Sequence, residues 1–565
     1  MEVEMNAGSG GGAVRSQGSN NREGDGGCCS FFGTPFRGIV DDFNRRIPHY
    51  VSDWLDGWNL KLLAAVFFIF FTSIGPAVTF AVLLQKETKS IGVIEVLLSS
   101  ALSGIIFSIF AGQPLVIVGV TGPVSILTIA VYTLTNANDI PFIPFYAWSQ
   151  LWAALLHWII AALNLCDYIV YVTNFSCETF GVLIALIYLY TGIYGIVLYY
   201  TEDAFTSALL QTFIAIGTAW LAQYLSDAGR WKIFNEGART LIADYGATIS
   251  IIVWVGVSKI GKAGDTDIDH VYMPKDFEPI LDRGWLADMG NLSAGNIILA
   301  IVPGIIITVL FVFDHNVSSL MAQGEALNLK KGAAFHLDFF VLGFCIFVTG
   351  LLGIPPCNGL IPQAPLHTKA LSVIKIKEVN GVEVKEVEMV YEQRYSNLFQ
   401  AGLTLLMCFP PFSSIIALIP SSSLDGLFLF MGLASFAGNT FYERMCLMVT
   451  EPALRASVHP YFVNVNFDII SKFTLVQAAC VIVIFVITLT PAAMVFPLLI
   501  AALVALRLFV FPKYMDDDDL QCLDELKEVN RGKDGAMLSP VRTTEEDLSE
   551  DAVDNREAAH TTASV

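Results

Sequence analysis

The run LKLLAAVFFIFFTSIGPAVTFAVLL, residues 60–84, carries a single charge, Lys61, and it is one of about fourteen such stretches. A helix needs roughly 20 apolar residues to cross a bilayer, whereas a strand of a membrane barrel needs about half that number. In lipid every backbone polar group must be satisfied internally, so runs of this length predict helices. The chain is therefore expected to be an all-α polytopic membrane protein. Its composition, 54% hydrophobic with mean hydropathy +0.60, agrees and excludes an ordinary soluble domain.

The hydrophobic segments fall near 59–85, 91–110, 114–133, 144–165, 178–199, 203–224 and 240–259. After a polar loop they resume near 295–320, 335–352, 358–373, 397–419, 424–445, 470–489 and 491–511. This divides the chain into an N-terminus at 1–58, a first seven-segment set at 59–259, an outer loop at 260–294, a second set at 295–511 and a tail at 512–565. Positive residues favour the cytoplasmic side. Arg37, Arg45 and Arg46 place the N-terminus there, and alternation puts Arg230, Lys232, Arg239, Lys330, Lys331, Arg444 and Arg455 on the same side. Lys86 and Lys89 break the pattern. An even number of segments brings the tail to the cytoplasm as well.

The net charge of −20 is concentrated: residues 512–565 hold 15 acidic and 6 basic residues, and so supply 9 of the 20 negative charges. From Asp516–Asp519 onward this tail reads as solvated and disordered, as does the Gly/Ser/Asn-rich segment 1–34. The cysteines lie mostly in apolar runs without paired spacing and read as buried hydrophobes; the adjacent Cys28 and Cys29 are candidates for acylation. Alternation around Asn380-Gly381 predicts a cytoplasmic hairpin within 373–395 with a type I′ turn. Three Asn-x-Ser sequons occur, at Asn174, Asn291 and Asn316, and only Asn291 falls in an outer loop where glycosylation is expected. No metal-ligand cluster, nucleophile elbow or phosphate loop stands outside the apolar runs, which argues against an enzyme and implies no cofactor. Nothing points to a nucleic-acid partner.

Two segments are broken by Gly and Pro. QPLVIVGVTGPVSIL (113–127) is third in its set of seven, and IPPCNGLIPQAPLHT (354–368) is third in the other. Such matched interruptions are the sequence signature of a transporter built from inverted repeats. A half-helix beginning at mid-membrane leaves its first N–H groups unpaired and adds the positive end of its dipole. Two facing half-helix N-termini would make an anion site without a buried Lys or Arg; the bland alternative is a pair of packing kinks.

The motifs PHYVSDWLDGWN (48–59), GVIEVLLSSALSGIIFSIFAGQPLVIVGVTGP (92–123), FDHNVSSLMAQ (313–323), FHLDFFVLG (335–343), LFLFMG (427–432) and LQCLDE (520–525) resemble the bicarbonate/borate family of solute carriers. That family includes anion exchangers, sodium–bicarbonate cotransporters and borate exporters. The resemblance covers roughly 36–525. It implies seven-plus-seven inverted repeats, a core domain bearing the site, a gate domain forming a homodimer contact, and residence in the plasma membrane. It further implies half-helices at segments three and ten, with substrate bound by Thr121, Gly122 and Pro123 and by Asn358, Gly359, Gln363 and Ala364. Asp314, with Ser318 one turn on, matches the family's acid and hydroxyl for a coupling ion, Na⁺ or H⁺. Read from the residues alone, Asp314 marks either a buried functional acid or the solvated end of its span. His315 and His336 read as polar edges of helices.

Where chloride/bicarbonate exchangers of this family place an arginine, forty-nine positions beyond the acid, this chain has Gln363. An amide donates and accepts hydrogen bonds without charge, which suits a hydroxyl-rich solute. The resemblance thus implies a secondary active transporter of an inorganic anion, with borate export favoured and bicarbonate transport or anion exchange the alternative. An anion channel and a membrane scaffold are the rivals from other classes.

Overall fold

The computed structural model describes residues 34–55, 57–324, 327–379, 382–455, 465–524, 529–531 and 537–540. Cys28, Cys29 and the Asn380-Gly381 turn lie outside the described residues. In chain order the elements begin with α1 (Arg37–Arg46), α2 (Tyr50–Leu55), α3 (Leu60–Thr88) and α4 (Val93–Phe110). There follow the two-residue strand β1 (Val118–Gly119), α5 (Gly122–Ala137), α6 (Phe142–Ala162), α7 (Asn174–Glu202), α8 (Phe205–Ser226), α9 (Glu236–Asp244) and α10 (Gly246–Val257). After the loop 260–294 come α11 (Ala294–Leu299), α12 (Ile301–Ala322), α13 (His336–Leu352), β2 (Asn358–Gly359) and α14 (Gln363–Ala370). The hairpin β3 (Ser372–Val379) and β4 (Val382–Val390) leads to α15 (Tyr395–Leu406), α16 (Phe412–Ile416), α17 (Ser421–Ala434), α18 (Thr440–Val449) and α19 (Pro452–Arg455). The chain continues through α20 (Phe467–Thr488), α21 (Phe496–Phe509) and α22 (Asp517–Leu523), and the short strands β5 (Val529–Arg531) and β6 (Met537–Pro540) pair with each other.

Among the described residues seven helices are long and apolar enough to cross a membrane, or eight if the α9–α10 pair, bent by 67°, is one span. The hydrophobic runs of the sequence and the helices largely coincide, and α11 and α12 meet at Ala300 within one span, Ala294–Ala322, but three other runs expected to be whole are broken. The run 240–259 divides into α9 and α10, 397–419 into α15 and α16 at Pro410-Pro411, and 424–445 into α17 and α18. Each interruption has a local cause: Tyr245 closes α9, the two prolines cannot continue α15, and Gly438 takes a positive φ of 73° that favours glycine.

Two bundles emerge from the packing. Helices α4, α6, α12, α13 and α15 lie against one another, while α7, α8, α10 and α17 form a second group, and α3 touches both. Close approach in the second group is made at glycines: a Cβ on Gly426 would stand 2.2 Å from the Ala215 carbonyl oxygen. The loop 260–294, expected only as a polar connection, is tied to both bundles. Val271 N donates to Ile419 O (3.0 Å), and Ser421 N to Asp269 O (2.9 Å). Further on, Ile280 N donates to Glu95 Oε1 (2.7 Å) and Arg283 Nη1 to Leu352 O (3.0 Å). Asn291 is exposed on this loop.

Described segments near both ends are docked on the helix bundles. At the N-terminal end α1 is docked: Asp42 Oδ2 accepts from Phe335 N, His336 N and Leu337 N at 2.8–3.1 Å, capping the start of α13. At the other end the chain is folded through α22 to Asp524, so the stretch from Asp516 expected to be solvated is structured as far as Asp524. Asp524 is buried, pairs with the buried Arg507, and accepts from Phe175 N (2.7 Å) at the start of α7. This gives the LQCLDE motif a structural purpose.

Candidate substrate site

The two broken segments meet. β1 and β2 pair antiparallel, Val118 opposite Gly359 and Gly119 opposite Asn358, and Leu360 N donates to Ile117 O at 2.8 Å. The rest of the irregular backbone is satisfied by polar side chains from surrounding helices, as buried peptide groups require. Gly112 N and Gln113 N donate to Asp338 Oδ1 (2.7 and 3.1 Å). Asn397 Nδ2 donates to Pro114 O and Val116 O (3.1 and 3.0 Å), and His367 Nδ1 to Leu115 O (2.7 Å). In the second break Gln150 Nε2 donates to Ile354 O (2.9 Å) and the Ser99 hydroxyl to Pro355 O.

From this crossing the two half-helices depart. α5 begins after its N-cap Thr121, with Pro123 in its first turn, the position where a missing N–H is tolerated. α14 begins at Gln363 after Pro362. Opposite them runs α12. Asp314 lies eight residues before its end at Ala322 and is 2% exposed; it is therefore not the solvated terminus of a span. Asp314 Oδ2 accepts from Asn358 Nδ2 at 3.2 Å. Its Oδ1 has no hydrogen-bond partner among the described residues, nor does the buried Ser318 Oγ one turn later. Gly359 passes directly over this turn: a Cβ there would stand 2.9 Å from Ser318 Cβ and 3.0 Å from its Oγ. Glycine is what allows the strand to lie on the helix.

A cavity of about 740 Å³ opens in front of the crossing. Thr121, Gly122, Pro123, Asp314, Gly359 and Gln363 line it, together with Tyr188, Gln400 and Thr404. Asn358 and Ala364 are buried behind this wall, and Ser318 sits beneath Gly359. Thus the predicted residues are brought together, six at the cavity surface and three in its support. Gln363 has a second task. Pro76 interrupts α3 without an N–H to offer the carbonyl of Thr72, four residues earlier, and Gln363 Nε2 donates to that carbonyl at 3.2 Å. The lining's carboxylates are Glu178, Asp244 and Asp314, and it has no Lys, Arg or His; Glu178 pairs with Arg444 behind the wall at 3.2 Å. The cavity reaches the surface where Asp244, Ala437 and Gly438 are exposed. No group of side chains suited to holding a metal occurs among the described residues.

His315 departs from the expectation of a polar helix edge. It is fully buried inside α12 beside Phe107 and Phe339, with both ring nitrogens unpartnered. His336 does stand at a helix start. Tyr188, Gln400 and Asn397 were not singled out by sequence: one aromatic among several in a span, and amides next to apolar runs, carry no signal without the second segment they address.

Paired broken segments crossing inside a bundle of long apolar helices, beside a cavity that a buried carboxylate reaches, define a membrane carrier. The chain belongs to the family described as the HCO3⁻ transporter integral membrane domain, whose profile matches residues 34–207 and 200–528. It is 33% identical to Boron transporter 1 of Saccharomyces cerevisiae over 86% of this chain and 85% of that protein. It is 28% identical to human Anion exchange protein 3 over 89% of this chain and 44% of that protein. Among solved structures it resembles the transmembrane domain of a cyanobacterium bicarbonate transporter, BicA, with TM-score 0.53 and 15% identity over 77% of this chain and 98% of that one. That last likeness speaks for the fold.

Proposed function

We propose that this protein is a secondary active transporter that moves borate out of the cell by alternating access. The observation that carries the reading is the meeting of the two breaks at a cavity closed by Asp314. The kinship with a protein named as a boron transporter, and Gln363 where exchangers of the family carry arginine, favour borate over chloride. The two helix groups correspond to core and gate in a plan of two inverted seven-segment repeats, with the gate joining two copies in the plasma membrane. Both termini lie in the cytoplasm, so the cavity opens inward, ready to take substrate for export.

Charge shapes the mechanism. The lining holds carboxylates but no cation, so attraction for an anion comes from the amides and dipoles of α5 and α14. An ionised Asp314 opposes that anion. A proton or Na⁺ held by the free oxygens of Asp314 and Ser318 removes the opposition, which couples the two movements. Asn358, bonded to Asp314, links the second break to that event.

The test is to measure intracellular boron and bicarbonate-dependent pH recovery in the same cells with and without the protein. Lowered boron without a change in pH recovery is the expected result, and the reverse overturns the borate assignment. In the same cells Asp314→Ala should abolish export while the protein remains inserted and monodisperse; wild-type export by that variant would remove Asp314 from the site.

A further inference from the structure

The amides at the mouth of α5 can be accounted for one at a time. Pro123 has none. Val124 N reaches the Thr121 hydroxyl at 3.5 Å, and Ser125 N donates to Thr121 O at 3.0 Å. The Gly122 amide is left for the cavity, and the hydroxyl of Tyr188 is its neighbour. The approach is close: a Cβ on Gly122 would lie 2.5 Å from Tyr188 Oη and 2.6 Å from Cε1. Asp314 is near enough to act on the same hydroxyl electrostatically.

Tyr188 does not belong to the half-helix bundle. It projects from α7, and its ring is held against Phe428 of α17 (centroids 5.9 Å apart) and Phe80 of α3 (5.8 Å). A phenol hydroxyl and a boron-bound hydroxyl present the same group to an amide: an oxygen with free lone pairs and one proton. We propose that Tyr188 is the carrier's internal stand-in for substrate, its hydroxyl holding the Gly122 amide until an oxygen of the transported hydroxyl-bearing anion displaces it. This rests on the α5 mouth being the substrate site. Because the side chain is anchored on the other bundle, the contact exists only in this orientation of the two bundles. It competes with the incoming solute for the same amide.

The experiment is zero-trans borate flux in proteoliposomes with wild-type protein and Tyr188→Phe, borate being added on the cytoplasmic face. Phenylalanine keeps the ring between Phe80 and Phe428, so folding is preserved, which a monodisperse chromatographic profile verifies. Removing a competing hydrogen bond should lower KM for borate by about two- to ten-fold. An unchanged KM overturns the proposal, and a raised KM does so too, because it makes Tyr188 a direct ligand instead. If the wild-type protein moves no borate, the functional assignment fails; if it does and KM is not lowered, the stand-in role alone fails.

Discussion

Gly359→Ala is the sharpest mechanical test of the site. The new methyl would lie 2.9 Å from Ser318 Cβ, 3.0 Å from its Oγ and 3.1 Å from His315 Nδ1. The first is 0.5 Å short of the 3.4 Å at which ordinary contact begins. α12 is a continuous helix and cannot yield locally, so β2 must back away by about that amount, since overpacking is relieved through backbone shifts. The Asn358–Asp314 bond, already 3.2 Å long, would then stretch to about 3.7 Å, beyond hydrogen-bonding range. The expected cost is about 1–3 kcal/mol, read as a lower apparent melting temperature in detergent, with reduced transport at equal surface expression. Ser318→Gly removes two of the three clashing atoms at an intrinsic cost of about 1 kcal/mol for glycine within a helix. The double variant should therefore be more stable than the sum of the single effects predicts. Wild-type melting and flux in Gly359→Ala, or strict additivity in the pair, would refute the close packing of strand on helix.

Other substitutions probe the support of the site. Asp524→Ala strips the buried Arg507 of its counter-charge and removes the cap from Phe175 N. It should cost about 3–5 kcal/mol, seen as loss of folded protein at the membrane, while Asp524→Asn, which keeps an acceptor for the cap, should lose less. Gln363→Ala should cost less than about 1 kcal/mol, because cavity water can reach the Thr72 carbonyl in place of the amide. Gln363→Glu, which has no donor for that carbonyl, should lower both melting temperature and borate flux more than Gln363→Ala. A Gln363→Glu protein that melts and transports like wild type would show that the Thr72 contact contributes nothing.

Much of this was legible in the sequence, and the parts that were not share a cause. Runs such as 60–84 announce helices because length and apolarity suffice. The two breaks stand out because Gly, Pro and polar residues are costly at bilayer depth. What single-segment reading could not supply is a partner. Gln363 read as a selectivity residue, and its bond to Thr72 became visible only once Pro76 of a distant helix lay beside it. The acidic tail read as solvated because four consecutive aspartates dominate its composition, although Asp524 is buried against Arg507. The splitting of 240–259 and 424–445 was hidden because short apolar helices in series have the same composition as one long helix.

Asp314 and Asp338 show why spatial context decides function. Each is a buried acid in an apolar helix, and the sequence does not rank them. Asp338 commits one oxygen to two amides of the first break; its other oxygen is unpartnered too, but the cavity does not reach it. Asp314 receives one bond, from a residue of the second break, and keeps an unpartnered oxygen at the cavity wall. The first acid therefore holds the irregular backbone together and the second is available for chemistry. The same logic explains why the breaks occur as a pair. A lone interruption would leave Ile117 O and Leu360 N without partners at a depth where water is scarce. Crossing lets each break satisfy the other, and the cavity forms where the two helices resume.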